Sequence, residues 1–599
     1  MSINHEENED NSLLNPDIIQ AALPFLSPTD LKNLSLTNKY FNKLLNYSSS
    51  DTLWHELYHK VYNTRYTDDE PFQTALTNEY RNYPSMIMAG KFTDCSWHDI
   101  FKLRSKNTHM YTWGCLKHGR LGYDVGSNPK LTEDQLNQSG FRVKSGVNQP
   151  VMVPWITINE DNSNLNDFSV AEVSGGGFSF QILTKSGKLF STGSTFSGGY
   201  NGPGPINDEI DYNPFRSLIE NLENSLPRIR IGGRMDINTT GVMGGRAMRN
   251  FGPTPASNVP QPTVIPGQPH SDIYSGLMEL EKTTNTTLDG NSNIRRMFPR
   301  NVFDFYTDTS NKVTRVNEKK MESVRFVAVS SGRSHFLALD ENNKLYSWDT
   351  KDLDHGVQLG FKDIDLNEHP IIKISCGWNF SCAYIYNIGL VVWKAREALK
   401  KGQLISNVDY EIIPNTSDNC AENKILDFTC LKDNRVLFIT NKGDKLFDYF
   451  NGEITSSPVH LDNNIIKISS CFSSLVLFTT AQCFKIDIRG SILDFDNIMP
   501  IQLDDTDDTI VSLASGDFHS LALTQKGNLY SWGLESQLSG CLGLGLPDSI
   551  VQEERVGIYE NNGRNIRVLN PSKIKLEDDC VAIAVAAGGW QSSALIVKK

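Results

Sequence analysis

Residues 510–545 read IVSLASGDFHSLALTQKGNLYSWGLESQLSGCLGLG, a series of short apolar runs separated by glycine. Three such runs follow one another, at 511–514, 519–524 and 529–532. They are punctuated by Gly516, Gly527 and Gly533. Short runs rich in Leu, Val, Tyr and Trp and bounded by glycine are typical of β-strands joined by tight turns. The stretch therefore predicts three consecutive short strands.

The same motif recurs along the chain. In residues 510–545 a glycine stands three residues before a histidine, and Gly-x-Leu-Tyr-x-Trp-Gly follows. A second copy keeps Gly332, His335 and Trp348 in the same spacing. With less complete versions included, copies begin near positions 171, 325, 371, 425, 465, 510 and 581. A recurrence at roughly 40–50 residues indicates a propeller, a solenoid or an array.

The two ends of the repeat region complement each other. The last copy, residues 581–596, lacks the Tyr-x-Trp-Gly half, whereas an isolated second half occurs early, as residues 111–114. We expect the two halves to pair in one blade, because pairing them removes the exposed strand edges of an open array.

This repeat resembles that of the regulator of chromosome condensation family, over residues 109–599. The resemblance implies a mainly β fold, a seven-bladed β-propeller. The long interval between the copies at 171 and 325 and the glycine- and proline-rich composition of 198–270 predict a flexible insertion at about 198–320. A long loop is predicted at 123–170, with an edge strand flanked by prolines at 150–154. The recurring His335 and His519 are interpreted as structural hydrogen-bonding residues. The recurring tryptophans are interpreted as packing residues.

Composition narrows the possible functions. The formal net charge is −13, which argues against nonspecific nucleic-acid binding. No apolar run approaches the ~20 residues that cross a membrane, and the polar, acidic first residues are unlike a secretory signal. Ten cysteines are scattered without a Cys-x-x-Cys pair, which is typical of reduced thiols in the cytoplasm or nucleus. We expect no cofactor and no metal.

The chain begins with an acidic stretch, residues 1–12, for which we predict disorder. Residues 13–54 then carry apolar residues at helical spacing, which predicts three short helices. Ser27, Pro28 and Asp30 form a helix-start signal, since Ser caps well, Pro suits the first turn and Asp complements the helix dipole. A helical unit this small rarely buries enough apolar surface to be stable by itself. We therefore expect its apolar faces to pack against another part of the chain or a partner.

Residues 13–58 resemble an F-box. The resemblance rests on apolar and proline positions that become the candidate adaptor-binding residues, namely Leu14, Pro16, Ile18, Ile19, Phe25, Leu26, Pro28, Leu31, Leu34, Leu53 and Trp54. The sequence departs at Asn15, where the family usually has proline, and Pro16 follows one residue late. The alternative interpretation is a helical cap packed on the propeller.

The F-box resemblance implies binding to a Skp-type adaptor and, through it, to a cullin-RING ubiquitin ligase. Residues 59–108 are predicted to form a helical linker, and the propeller to bind an unidentified protein that becomes ubiquitinated. On this hypothesis the chain is a substrate adaptor and not an enzyme. Nucleic acid and membrane are not expected partners.

Two other functions remain open. One is guanine-nucleotide exchange on a small GTPase, which the name of the repeat family suggests. The other is a zinc peptidase, since His55, Glu56 and His59 form an H-E-x-x-H motif whose histidines would share one helix face. The structural interpretation of this motif is two exposed histidines on an amphipathic helix.

Overall fold

The computed structural model describes residues 26, 28–37, 39–46, 50, 53–54, 57 and 98 of the N-terminal region. Beyond it, the model describes 108–193, 294–299, 305–307, 313–315 and 324–598, with internal gaps such as 155–169. The chain divides into two units, 1–210 with 286–599, and 211–285. All described residues belong to the first unit. None of the described helices combines the length and apolarity needed to cross a membrane.

Two short helices lie near the N-terminus, α1 (Pro28–Thr37) and α2 (Lys39–Leu45). α1 begins at Pro28 with Asp30 in its first turn, where the sequence places a helix start. The Asn42 side chain of α2 donates a hydrogen bond to the Ser35 carbonyl of α1 at 3.2 Å, which ties the two helices together.

The first strands after this region are β1 (His109–Cys115), β2 (Leu136–Ser139) and β3 (Val143–Met152). β2 and β3 occupy much of the predicted loop at 123–170. The strand predicted at 150–154, at the end of this loop, overlaps the end of β3. The prediction of a loop was wrong for β2 and the start of β3, which lack the repeat motif and are held by pairing with β1 and with each other.

The next set is β4 (Val170–Gly175), β5 (Phe180–Thr184), β6 (Leu189–Thr192) and β7 (Ile294–Pro299). β7 falls within the predicted insertion at 198–320, yet it pairs with β6 and belongs to the sheet. A separate hairpin contains β8 (Phe305–Thr307) and β9 (Val313–Arg315).

Four further sets follow with little interruption. Their strands are β10 (Phe326–Ser331), β11 (Phe336–Asp340), β12 (Leu345–Trp348), β13 (His355–Phe361); β14 (Ile371–Cys376), β15 (Ser381–Ile385), β16 (Gly389–Arg396), β17 (Ile405–Ile412); β18 (Ile425–Cys430), β19 (Val436–Thr440), β20 (Lys445–Phe450), β21 (Glu453–Pro458); and β22 (Ile465–Ser470), β23 (Ser474–Thr479), β24 (Cys483–Arg489), β25 (Ile492–Pro500). The sets starting at 425 and 465, where the motif is weakest, each form a separate four-stranded sheet.

The last strands are β26 (Ile510–Ser515), β27 (His519–Thr524), β28 (Leu529–Glu535), β29 (Gly557–Glu560), β30 (Asn565–Ile574), β31 (Cys580–Gly588) and β32 (Gln591–Lys598). β1 pairs antiparallel with β32, from His109 opposite Ile596 to Gly114 opposite Gln591. This confirms that the two ends of the repeat region share one sheet.

The arrangement is mainly β and propeller-like. Among the described residues, five sheets of four or more strands are separate, one of which has 12 strands and contains the sets β4–β7, β10–β13 and β14–β17. The described sheets therefore do not divide into seven separate blades. The first strands of the sets contact one another in succession, and β31 contacts β4.

Burial follows position within each set. All residues of β27 are buried, whereas all residues of the outer strand β21 are exposed or half-buried. A second strand is covered on both faces by neighbouring sheets, which explains its continuous apolar run in the sequence. The recurring Trp113, Trp348 and Trp532 are buried at 0%, 1% and 7% exposure, as predicted.

Candidate functional site

The apolar residues of the N-terminal helices divide into a buried set and an exposed set. Leu31 and Trp54 are 0% and 3% exposed and belong to the same buried cluster as Trp113 of β1. The Trp54 ring also lies 4.6 Å from the ring of His98. The helical region is thus anchored by burial in a shared apolar cluster, as its small size predicts.

The exposed set is Leu36 and Tyr40, at 70% and 37% exposure. Neither is among the candidate adaptor-binding residues, because those were taken from the positions that carry the F-box resemblance. Leu26, Leu34 and Leu53 are half-buried and pack against the shared cluster. Among the described side chains of these helices, Leu36 and Tyr40 are the large apolar ones that lie exposed.

Several predicted site residues lie outside the described residues. They are Leu14, Pro16, Ile18, Ile19, Phe25, the side chain of Pro28, and His55, Glu56 and His59. The linker prediction for 59–108 falls almost entirely outside as well. These remain predictions from sequence.

The two motif histidines connect neighbouring sets of strands. His335 Nε2 lies 2.9 Å from Ser381 Oγ of β15, and His519 Nε2 lies 2.8 Å from Ser592 Oγ of β32. Both rings are buried, and burial lowers the pKa of each imidazole to about 4. A neutral, hydrogen-bonded histidine of this kind is structural, which confirms the interpretation made from the motif.

Gln591 occupies the equivalent position of the last copy, three residues after Gly588. Its Nε2 donates hydrogen bonds to the carbonyls of Gly176 and Ser179, at 3.2 and 2.9 Å. Histidine and glutamine therefore perform the same task at this position, namely joining one set of strands to the next.

The motif glycines allow the turns after the first strands to approach one another. A Cβ on Gly332 would lie 2.5 Å from the Gly377 carbonyl oxygen, and one on Gly516 would lie 2.6 Å from that of Gly589. Any side chain here would force neighbouring turns apart, so glycine is required for the ring to close.

These turns surround a cavity of about 140 Å³. Its lining comes from every set of strands, since it includes residues such as Gly177, Arg333, Leu431, Ser470 and Gly589. We call this cavity and the side chains around it the central mouth. It is well below the ~300–1,000 Å³ of pockets that enclose a drug-sized ligand, so its size suits a single side chain.

An ion pair spans the central mouth. Arg333 Nη1 donates to both carboxylate oxygens of Asp517, at 3.2 and 3.1 Å. The Arg333 guanidinium also lies 3.9 Å from the ring centroid of Trp378. The two charged residues are 184 positions apart in sequence, so no local pattern could have predicted their pairing.

One group of potential metal ligands occurs among the described residues. Ligand atoms of Glu577, Asp579 and Cys580 lie within 4.8 Å of one another. Burial, and then the neighbouring Asp579, raise the pKa of the Cys580 thiol to about 11, which keeps the thiol protonated and a weak ligand. Two of the three groups are exposed acids, which is the ordinary condition of a solvated loop end.

Comparison with known proteins identifies the family. The chain is 44% identical to SCF-associated factor 1 of Saccharomyces cerevisiae over 643 aligned positions, covering 100% of this chain and 99% of the relative. The chain belongs to the family of SCF-associated factor 1. The described β-sheets and the N-terminal helices both fall within the aligned region.

Two further comparisons concern parts of the chain. The regulator of chromosome condensation (RCC1) repeat family matches residues 326–348 and 510–537, the two copies in which the motif is most complete. F-box protein pof9 of Schizosaccharomyces pombe is 27% identical over 290 positions, 46% of this chain and 58% of that protein.

Among solved structures, human WBSCR16 has a TM-score of 0.43 at 11% identity and covers 82% of this chain and 99% of its own. Yeast RCC1 (Prp20), solved bound to Kap60, has a TM-score of 0.44 at 12% identity and covers 83% and 90%.

Proposed function

We propose that this protein is the substrate-recognition subunit of an SCF-type ubiquitin ligase. The observation that carries the proposal is the 44% identity to SCF-associated factor 1 along the entire chain, since one alignment includes both the helical region and the repeats. In this role the protein is a non-catalytic adaptor. It holds a substrate beside the ligase and so raises the effective concentration of the substrate there, without performing a chemical step itself.

The helical region would contact a Skp-type adaptor and, through it, a cullin-RING ligase. We propose that α1 and α2 are F-box helices. On this proposal Leu36 and Tyr40 contact the adaptor in addition to the candidate residues predicted from sequence. The buried Leu31 and Trp54 hold the helices in position. Large apolar side chains exposed on a surface are often contacts for a protein partner.

The strands would form seven blades. The successive contacts among β4, β10, β14, β18, β22, β26 and β31, with β31 returning to β4, support this count. On this proposal the 12-stranded sheet comprises three blades whose outer strands touch, through the parallel pairs β13–β17 and β13–β7. The propeller would bind the protein to be ubiquitinated and degraded by the proteasome.

We place the protein in the cytoplasm, the nucleus or both. The seven described cysteines are all free thiols, although several are buried near neighbouring strands. Free thiols are the ordinary condition of cysteines in these reducing compartments.

Co-purification with a Skp-type adaptor tests the proposal. We expect stoichiometric capture by the full chain and loss of capture when Leu36→Asp and Tyr40→Asp are combined. The matched control combines Ile492→Asp and Leu569→Asp, which alter side chains 72% and 64% exposed on the sheets.

The control should retain capture, and neither variant should lose much stability, since exposed substitutions usually change it by ~0.5 kcal/mol or less. A folded wild-type chain that fails to capture the adaptor, or equal loss in both variants, would contradict the proposal.

A further inference from the structure

Two arginines flank one aromatic ring beside the central mouth, and one of them, Arg333, lines the cavity itself. The guanidinium carbons of Arg120 and Arg333 each lie 5.2 Å from the ring centroid of Phe178. Arg333 also lies against Trp378. Aromatic faces attract cations within about 6 Å, so these rings hold two positive charges at one place.

Asp517 is the carboxylate that the structure places against this pair of cations. It accepts two hydrogen bonds from Arg333, and it also acts electrostatically on Arg120. Arg120 is only 3% exposed; its Nε donates to the Lys117 carbonyl at 2.9 Å, and its buried Nη1 has no hydrogen-bond partner. Asp517 is thus hydrogen-bonded to Arg333 and attracts Arg120 only through its charge, and a buried donor of Arg120 is left unsatisfied.

This local excess of positive charge contrasts with the rest of the chain, whose net charge is −13. Lys432 and Arg435 also line the central mouth, and Arg435 is paired with Asp448 at 2.9 and 2.5 Å. The rim is partly apolar, since Phe518 is 41% exposed and its ring lies 5.6 Å from that of Trp590. A cationic site with an apolar rim complements an acidic side chain between apolar ones.

We propose that the central mouth binds an aspartate or glutamate side chain within an extended segment of a partner polypeptide. The carboxylate of that segment would be held by Arg333, which lines the cavity, and Asp517 would act as an internal competitor for Arg333. The buried Arg120 would add positive charge from behind Phe178 without touching the segment. The hydrogen bonds of Asp517 to Arg333 demonstrate that a carboxylate fits this geometry. The inference rests on the proposed function in one respect, because the partner would be the protein to be ubiquitinated.

The probe is a fluorescein-labelled peptide, Gly-Ser-Leu-Glu-Leu-Glu-Leu-Ser-Gly, titrated with the full-length protein. Fluorescence anisotropy reports binding. A second peptide has glutamine at both glutamates, and a third has phosphoserine there. We expect the glutamate peptide to bind saturably, with an affinity that falls as salt is added. The glutamine peptide should bind with an affinity lower by roughly tenfold or more, because a desolvated charge pair is lost.

Two variants should shift affinity in opposite directions. Arg333→Gln removes the cation, and we expect it to weaken binding roughly tenfold or more. Asp517→Asn removes the competitor, and we expect it to strengthen binding several-fold. A variant that merely misfolds cannot strengthen binding, which protects the test against that artefact. The matched control is Arg567→Gln, which breaks another half-exposed arginine–carboxylate pair, with Glu560, on the outer strand β30.

The outcomes separate this inference from the proposed function. Equal binding of the glutamate and glutamine peptides, or no effect of Arg333→Gln and Asp517→Asn, would refute the central mouth as a carboxylate site even if adaptor capture is intact. Much tighter binding of the phosphoserine peptide would overturn the choice of a carboxylate. Loss of adaptor capture with unchanged peptide binding would refute the proposed function alone.

Discussion

Replacing His519 with glutamine should make the protein more resistant to acid. The imidazole is buried and its pKa is lowered to about 4, chiefly by desolvation, from an ordinary value of 6.5. Glutamine is the matched replacement, because Gln591 already occupies the equivalent position in another copy of the motif and bonds to the next set of strands.

The magnitude follows from the two pKa values. As pH falls below 6.5, the unfolded chain takes up a proton at this histidine, whereas the folded chain does so only near 4. Stability is therefore full above pH 6.5 and is lost progressively toward pH 4. At pH 5 the loss is ~2 kcal/mol for each such histidine, so His335 and His519 together account for ~4 kcal/mol.

Urea unfolding at pH 7.5 and pH 5, followed by tryptophan fluorescence, measures this effect. We expect His519→Gln to remove about half of the loss attributed to the two histidines, and the addition of His335→Gln to remove the remainder. His519→Ala serves as a contrast, since it abolishes the titration but also the hydrogen bond and should be less stable at both pH values. Identical pH dependence in the wild type and the double glutamine variant would refute the reasoning.

Three further predictions concern burial. Arg396→Ala leaves the buried Asp349 carboxylate without its pair and should lower stability by ~3–5 kcal/mol. Arg396→Met removes the same charge but fills more of the space, so it should cost less than Arg396→Ala, and Lys442→Ala, at an exposed ion pair, should cost under ~1 kcal/mol in the same denaturation assay. Trp113→Ala should lower stability by ~3–5 kcal/mol, because a fully buried ring is lost from the sheet that joins the chain ends; an unchanged melting temperature would contradict this. Cys483, whose pKa burial raises to about 12, should be labelled by a thiol reagent only after unfolding, as mass spectrometry would show.

Much of the fold could be predicted from local patterns. The glycine-bounded apolar runs correspond to strands such as β10, β11, β26 and β27, and the incomplete copies at the two ends of the repeat region correspond to the pairing of β1 with β32. Strands without the motif could not be predicted in this way. Only the end of β3 was predicted, from the prolines around 150–154. For β2, the rest of β3 and β7, the pairing partners rather than their own apolar patterns decide the conformation.

The candidate sites were less accessible to sequence reasoning. The apolar spacing of the N-terminal helices was visible, but the division between buried Leu31 and exposed Leu36 depends on what the helices pack against. The role of His335 and His519 could be inferred from their recurrence. Their partners, Ser381 and Ser592, carry no signal of their own, since serine is common at strand ends.

The amino-acid sequence by itself determined the repeat, because alternating apolar runs and glycines act within a few residues of one another. It also determined that the ends of the repeat region must meet, since each end carries one part of a divided motif. Which side chains surround the central mouth was decided only by the tertiary structure. Arg120, Phe178, Arg333 and Asp517 come from different sets of strands, and they converge because glycine turns bring the ends of the first strands together around a closed ring.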